Sequence, residues 1–374
     1  MSKIRLSKSS IGKEEIEAVS EVLKKEFLGM GEEVQLFERE IKNFLGTKKE
    51  VVCVNTGTAA LHLAVHCLGI GKGDEVLVPT ITYVASFQAI SATGATPVPC
   101  DVREDTLFID LKDAEKRITK NTKAIMPVHY ASDSQFMQEV YDFAKAYNLR
   151  VIEDAAHAFG CLRNGKYIGV EGDVICFSFD GIKNITSGEG GAVLSDDVEF
   201  IQKVKDARLL GVERDTEKRY QGLRSWEFDV KIQGFRYHMS NIMAAIGRVQ
   251  LKKIPYIRKK RQGLAFNYIN AFKDMEEIEL LNLDWKNIIP HIFVIKVKNN
   301  KRNSLKQFLE AQGIECGIHY KPNHLLSKYN LGYSLPTAER LYEQILTLPL
   351  HLDLSKDDQE FIIEKIITFV SKRK

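Results

Sequence analysis

Short runs of Val, Ile and other apolar residues alternate with amphipathic stretches over residues 50–196, and this alternation restricts the possible folds more than any other feature of the chain. The runs are EVVCV (50–54), EVLVP (75–79), TPVPCDV (96–102), KAIMPVHY (123–130), RVIEDAA (150–156), DVICFSF (173–179) and GAVLSD (191–196). Each is short and nearly continuously apolar, the pattern of a strand buried on both faces. Helical stretches separate several of them, at GTAALHLAVHCLG (57–69), near VASFQAISATG (84–94) and at SQFMQEVYDFAKAYN (134–148). This order predicts an α/β fold with a mostly parallel central sheet covered by helices. Near residue 250 the texture changes. A long charged helix is predicted over 250–272, then a strand (HIFVIKV, 291–297), a helix (304–313), a strand-like piece (ECGIHY, 315–320) and a closing helix (356–374). The expected division is a large domain over 1–250, with the N-terminal segment, and a smaller α+β domain over 251–374.

Several function classes have little support. The chain has 53 Lys and Arg against 50 Asp and Glu, for a net charge of +3. That balance gives no electrostatic reason for a nucleic-acid or membrane-surface partner. The RKKR run (258–261) is expected to be a solvated helix face. MSKIRLSKSS has no apolar core of a secretory signal, and no run approaches the ~18 apolar residues of a membrane helix. The six cysteines form no C-x-x-C pair and sit mostly in apolar runs, so reduced core cysteines and a cytoplasmic location are expected. His62 and His66 are four apart on one helix, but there is no H-E-x-x-H and no obvious third ligand, so no metal is expected. Neither G-x-x-x-x-G-K-[ST] nor a strand-linked G-x-G-x-x-G is present, which weighs against nucleotide hydrolysis and nicotinamide chemistry.

Three stretches carry chemistry. In VNTGTAALHLAV a strand ends at Val54 and a helix starts near Gly57, with Thr58 and Ala59 in its first turn. Such a start is a ready anion site, or simply a capped helix. In RVIEDAAHAFG a buried strand delivers Asp154 to the carboxyl edge of the sheet, with His157 three residues on. A structural Asp–His contact would explain the pair equally well. In CFSFDGIKNITSGEGG, Lys183 lies in a loop five residues after Ser178, and the glycines offer backbone freedom beside it. A lysine, a buried carboxylate and phosphate donors are what pyridoxal 5′-phosphate requires. Tyr83, in PTITYVAS, could lie against the ring of that cofactor.

At these residues the chain resembles the sugar-nucleotide aminotransferases of the DegT/StrS type, which have the aspartate aminotransferase fold (fold type I of the pyridoxal-phosphate enzymes). The resemblance runs over nearly the whole length, through TGTAALHLA, GDEVLVPTITYVAS, VIEDAAHAFG, FSFDGIKNITSGEGGAV and GFRYHMSNIMAAIGRVQL. It implies that Lys183 holds the cofactor as a Schiff base and shuttles the proton. Asp154 would pair with the pyridinium nitrogen and Tyr83 would stack on the ring. His157 would lie beside the ring hydroxyl, and Thr58, Ala59 and Ser178 would bind the phosphate, with Gly57 allowing close approach. Two positions depart from the family. Asp180 stands where many relatives have His or Tyr, and Arg236 stands where many have an Asn given to the neighbouring subunit's phosphate. That contact implies a homodimer with shared active sites. Residues 317–329 face substrate in the family, which makes His319, Tyr320 and His324 substrate candidates beside the reading of a plain surface loop. The dehydratase branch replaces the lysine with histidine, so Lys183 disfavours it. The implied activity moves the amine of L-glutamate to a nucleotide-linked keto-sugar. The wording N-I-T-S-G-E-G-G resembles the C4-aminating members and points to a dTDP-linked 4-keto-6-deoxyhexose for a surface polysaccharide such as O-antigen. A C3 aminotransferase and a non-catalytic, cofactor-binding regulator are the alternatives.

Overall fold

The computed structural model describes residues 3–371. The apolar runs form one seven-stranded sheet from β1 (Glu50–Val54), β2 (Glu75–Pro79), β3 (Thr96–Cys100), β4 (Thr122–Ile125), β5 (Arg150–Asp154), β6 (Val174–Ser178) and β7 (Gly191–Ser195). Their spatial order is β1-β7-β6-β5-β4-β2-β3. Only β7 runs against the others, pairing antiparallel with both β1 and β6. Successive residues of a strand point to opposite faces, and the cores follow that rule. Val51 and Cys53 pack with Val34, Phe37 and Ile41 of the helix Glu32–Leu45. Val52 and Val54 pack with the helices Gly57–Cys67 and Val198–Ala207 on the other face. Both faces are covered, so every strand except at its edges had to be apolar throughout. The parallel α/β architecture is therefore the one expected.

A second, antiparallel sheet has the order β8 (Ile278–Leu280), β9 (Phe293–Val297), β10 (Ile345–Leu348). It packs against the helices Ile254–Phe272, Arg302–Ala311 and Lys356–Ser371. The N-terminal segment joins this layer, with Ile4 bridging to Ile314 and its N–H bonded to the Gly313 carbonyl.

Three local expectations are corrected. The single helix over 250–272 is two helices, Asn241–Lys252 and Ile254–Phe272, because Pro255 has no N–H to continue a helix and instead opens the next one. The RKKR run is not a uniformly solvated face. Arg261 is buried and donates to the carbonyls of Pro290, His291 and Leu350. Arg258 reaches the carbonyls of Gly160 and Asn287. The ECGIHY piece is no strand: Gly317 makes one bridge to Thr347, and the chain then turns to carry His319 and Tyr320 inward. The closing helix is described to Ser371, and residues 372–374 of that expectation lie outside the described residues. Among the described residues no helix is long and apolar enough to cross a membrane.

Candidate active site

The carboxyl ends of β1, β2, β5 and β6 open into one cavity of ≈ 470 Å³. A parallel sheet gathers strand ends this way, which is why open α/β folds keep their sites there. Gly57, Thr58, Tyr83, Asp154, His157, Ser178, Asp180, Lys183, His319 and Tyr320 all line the cavity, though they span most of the sequence.

The helix start after β1 is built on Thr56. Its hydroxyl caps the helix by accepting from the Ala59 N–H at 3.0 Å. That occupies the Ala59 N–H, and Ala59 does not line the cavity. The N–H groups of Gly57 and Thr58 have no intrahelical acceptor, and Gly57 sits against Ser178. A Cβ at position 57 would lie 2.7 Å from the Ser178 Cβ. Gly57→Ala therefore pushes the helix start away from Ser178. The expected result is a loss of roughly 1–3 kcal/mol of stability from overpacking and weaker cofactor binding, read by thermal melts and cofactor titration. Unchanged affinity would remove this junction from the phosphate site.

The glycines after the lysine serve packing more than freedom. A Cβ on Gly191 would lie 2.5 Å from the Thr56 carbonyl oxygen, and one on Gly190 2.9 Å from the Met239 methyl. Only Gly188 of that run has a positive φ, +81°. Asn184 ties the lysine loop down by donating to the carbonyls of His157, Phe159 and Ile289 at 3.1–3.2 Å.

Lys183 is the centre of the electrostatics. Burial lowers its pKa, and the carboxylates of Asp180 and Asp154 pull it partly back. Its Nζ lies 3.3 Å from His291 Nε2. Asp154 is buried with its pKa raised by desolvation. Its oxygens accept from the Ser86 hydroxyl at 2.7 Å and the Ala156 N–H at 3.2 Å, not from His157. His157 meets Tyr320 instead, Nε2 to hydroxyl at 3.2 Å, and burial holds it neutral. His319 donates to or accepts from the Thr347 hydroxyl at 2.8 Å, and burial takes its pKa down to about 4. Tyr83 is 60% exposed and stands at the cavity edge, its ring 5.8 Å from that of Tyr320.

Three candidates lie elsewhere. Ala59 is occupied as described. Arg236 is exposed outside the cavity, its carbonyl accepting from the Asn55 side chain at 3.4 Å. His324 is buried between the Thr80 hydroxyl at 2.8 Å and Glu339 at 3.1 Å, where the turn Asn323–Leu325 packs on the end of β2. Four contributors escaped sequence reasoning: Thr56, Ser86, Asn184 and His291. A threonine before G-T-A is a recognisable cap, but nothing local marks the other three. His62 and His66 are engaged with the Tyr237 hydroxyl at 3.1 Å and the Gln233 carbonyl at 3.0 Å.

The donor set fits pyridoxal phosphate. A half-buried amine faces the cavity, a buried carboxylate lacks a cationic hydrogen-bond partner, and a helix start with a serine hydroxyl offers anion donors. Comparison with known proteins agrees. The DegT/DnrJ/EryC1/StrS aminotransferase family model matches residues 9–367. The chain is 35% identical to the spore coat polysaccharide biosynthesis protein SpsC of Bacillus subtilis, covering 95% of this chain and 94% of that one. It superposes with a TM-score of 0.90 on Helicobacter pylori PseC, an aminotransferase involved in the biosynthesis of pseudoaminic acid, at 30% identity over 99% of this chain and 100% of that one. The TM-score is also 0.90 for Spr1654 of Streptococcus pneumoniae in its pyridoxal-phosphate form, at 32% identity over 99% of both chains. The chain belongs to the DegT/DnrJ/EryC1/StrS aminotransferase family, with that family's fold and a site whose residues suit its cofactor, pyridoxal 5′-phosphate.

Proposed function

We propose that this aminotransferase moves the amine of L-glutamate to C4 of a nucleotide-linked 4-keto-6-deoxyhexose, with dTDP-4-keto-6-deoxyglucose as the first substrate to try. The observation that carries the chemistry is the convergence of Lys183, Asp154 and the Gly57–Thr58 helix start on one cavity. When bound, the cofactor supplies an electron sink. Asp154 would supply the negative charge that pairs with the ring's nitrogen, and the Ser86 hydroxyl orients its carboxylate. Lys183 Nζ takes up a proton and gives it back, a task suited to an amine whose pKa burial has lowered. Tyr83, Tyr320 and His157 wall the cavity. The preference for C4 is supported by the N-I-T-S-G-E-G-G wording alone. The polysaccharide role, in O-antigen or a comparable surface polymer, is supported by the likeness to SpsC.

The working unit in this reading is a cytoplasmic homodimer with shared sites. Arg236 is exposed, and Leu223, Trp226, Phe228 and Val230 form an exposed apolar stretch nearby in sequence, with Trp226 85% exposed. A second copy would cover that stretch.

The test is product analysis. The enzyme, pyridoxal phosphate and glutamate are mixed with dTDP-4-keto-6-deoxyglucose, and separately with its 3-keto isomer. Nitrogen at C4 by NMR is the expected result. Nitrogen at C3 overturns the regiochemistry and keeps the aminotransferase. No amine from either sugar removes the dTDP assignment and sends the search to UDP and GDP sugars. Failure of glutamate to convert the bound cofactor to its amine form would favour the regulator instead.

A further inference from the structure

His291 lies two residues before β9 of the smaller sheet, yet its ring lines the cavity with Nε2 3.3 Å from Lys183 Nζ. Its backbone is held on both sides. The N–H donates to the Ser132 hydroxyl at 3.1 Å, and that hydroxyl donates to the His157 carbonyl at 2.5 Å. The carbonyl accepts from Arg261 Nη1 at 3.2 Å. The ring packs on His157 with centroids 4.4 Å apart. Its Nδ1 has no hydrogen-bond partner among the described residues, so the lysine is the ring's one polar engagement. Burial and the neighbouring charge of Lys183 keep this imidazole neutral. An ammonium has no lone pair, so against a cationic lysine Nε2 must accept and the ring proton must sit on Nδ1.

We propose that His291 is a positioning residue for Lys183, its neutral Nε2 accepting an N–H from the lysine amine and holding that amine at the cavity wall whenever it is not bonded to the cofactor. This rests on the reading of Lys183 as the cofactor lysine and is independent of the sugar. In transamination that lysine is released and must be found again in the same place, so a fixed acceptor shortens the search. The contact also tunes the amine. Burial favours the neutral form, while Asp180, Asp154 and Glu189 favour the cation and Arg261 opposes it. His157 and His319, the other imidazoles facing the site, are held neutral by burial. A hydrogen bond from a cationic donor is stronger than one from a neutral donor. His291 therefore favours the cation and partly offsets burial.

The test uses the full chain freed of cofactor. Pyridoxal phosphate is added and the growth of its visible protein-bound band is timed from pH 6 to pH 10, with no amino donor or sugar present. The wild type should show an acidic limb set by protonation of Lys183. In His291→Phe the limb should move down by about one pH unit, and the plateau rate should fall about tenfold as the hydrogen bond holding the neutral amine at the cavity wall is lost. His291→Gln, whose amide oxygen can accept, should restore most of both. If His291→Phe does not fold, His291→Asn takes its place, since the shorter amide falls short of Nζ. An unmoved limb overturns the proposal, whether the plateau is unchanged or falls without rescue by Gln. Cofactor that borohydride still fixes covalently to Lys183→Ala is a different result and would remove the lysine assignment itself.

Discussion

Lys183→Ala is expected to bind pyridoxal phosphate without a covalent link and to lose about 10⁴-fold or more of its turnover. The amine lies on a loop fixed at three points: the Lys183 backbone N–H bonds to the Asp180 carbonyl, Asn184 bonds three carbonyls, and Ser187 N–H bonds the Phe179 carbonyl. Removing the side chain leaves this frame intact. The loss should therefore be chemical, with the melting temperature little changed. The check is a pair of measurements on one preparation: amine transfer from glutamate, and the fraction of cofactor fixed to protein by borohydride. Normal turnover in this variant would end the assignment of Lys183.

Asp154→Asn is expected to split activity from stability in opposite directions. In the cofactor-free chain Asp154 is a buried carboxylate with neutral donors only, Ser86 and the Ala156 N–H. Its folded pKa is raised by desolvation. A carboxylate raised in this way destabilises the fold once pH passes its unfolded value of about 3.9, and the penalty grows until the folded value is passed. Asparagine keeps the Ser86 contact and removes the charge, so the cofactor-free variant should melt no lower than wild type at neutral pH. The loaded enzyme should behave in the reverse way. Losing a buried, paired charge removes roughly 2–5 kcal/mol, which corresponds to about 30- to 5,000-fold in turnover. Thermal melts with and without pyridoxal phosphate, beside kcat, test both signs. A cofactor-free variant much less stable than wild type would mean that Asp154 is a structural carboxylate.

Much of the site was legible because its members sit at strand ends that the sequence marks by composition. β1, β5 and β6 are continuous apolar runs, and Gly57, Asp154 and Ser178 follow or end them. A parallel sheet must bring such ends to one edge, so residues 97 and 24 positions apart in the chain become neighbours without any further signal. What failed was whatever depended on which way a loop turned. His324 lies only four residues past Tyr320, yet it turns away to Thr80 and Glu339. Arg261 sits in a basic run and still faces inward, because the helix break at Lys253 and Pro255 sets its phase.

The sequence alone determined the α/β architecture, the lysine loop and the buried carboxylate, because periodic burial and strand-end placement are local consequences of residue type. Only the tertiary structure decided that His291 reaches Lys183 across 108 positions, that Ser86 rather than His157 holds Asp154, and that Asn184 anchors the loop. These are contacts between separate elements. A hydrogen bond of that kind leaves no period in the sequence of either partner, and its existence depends on how the second sheet packs against the first.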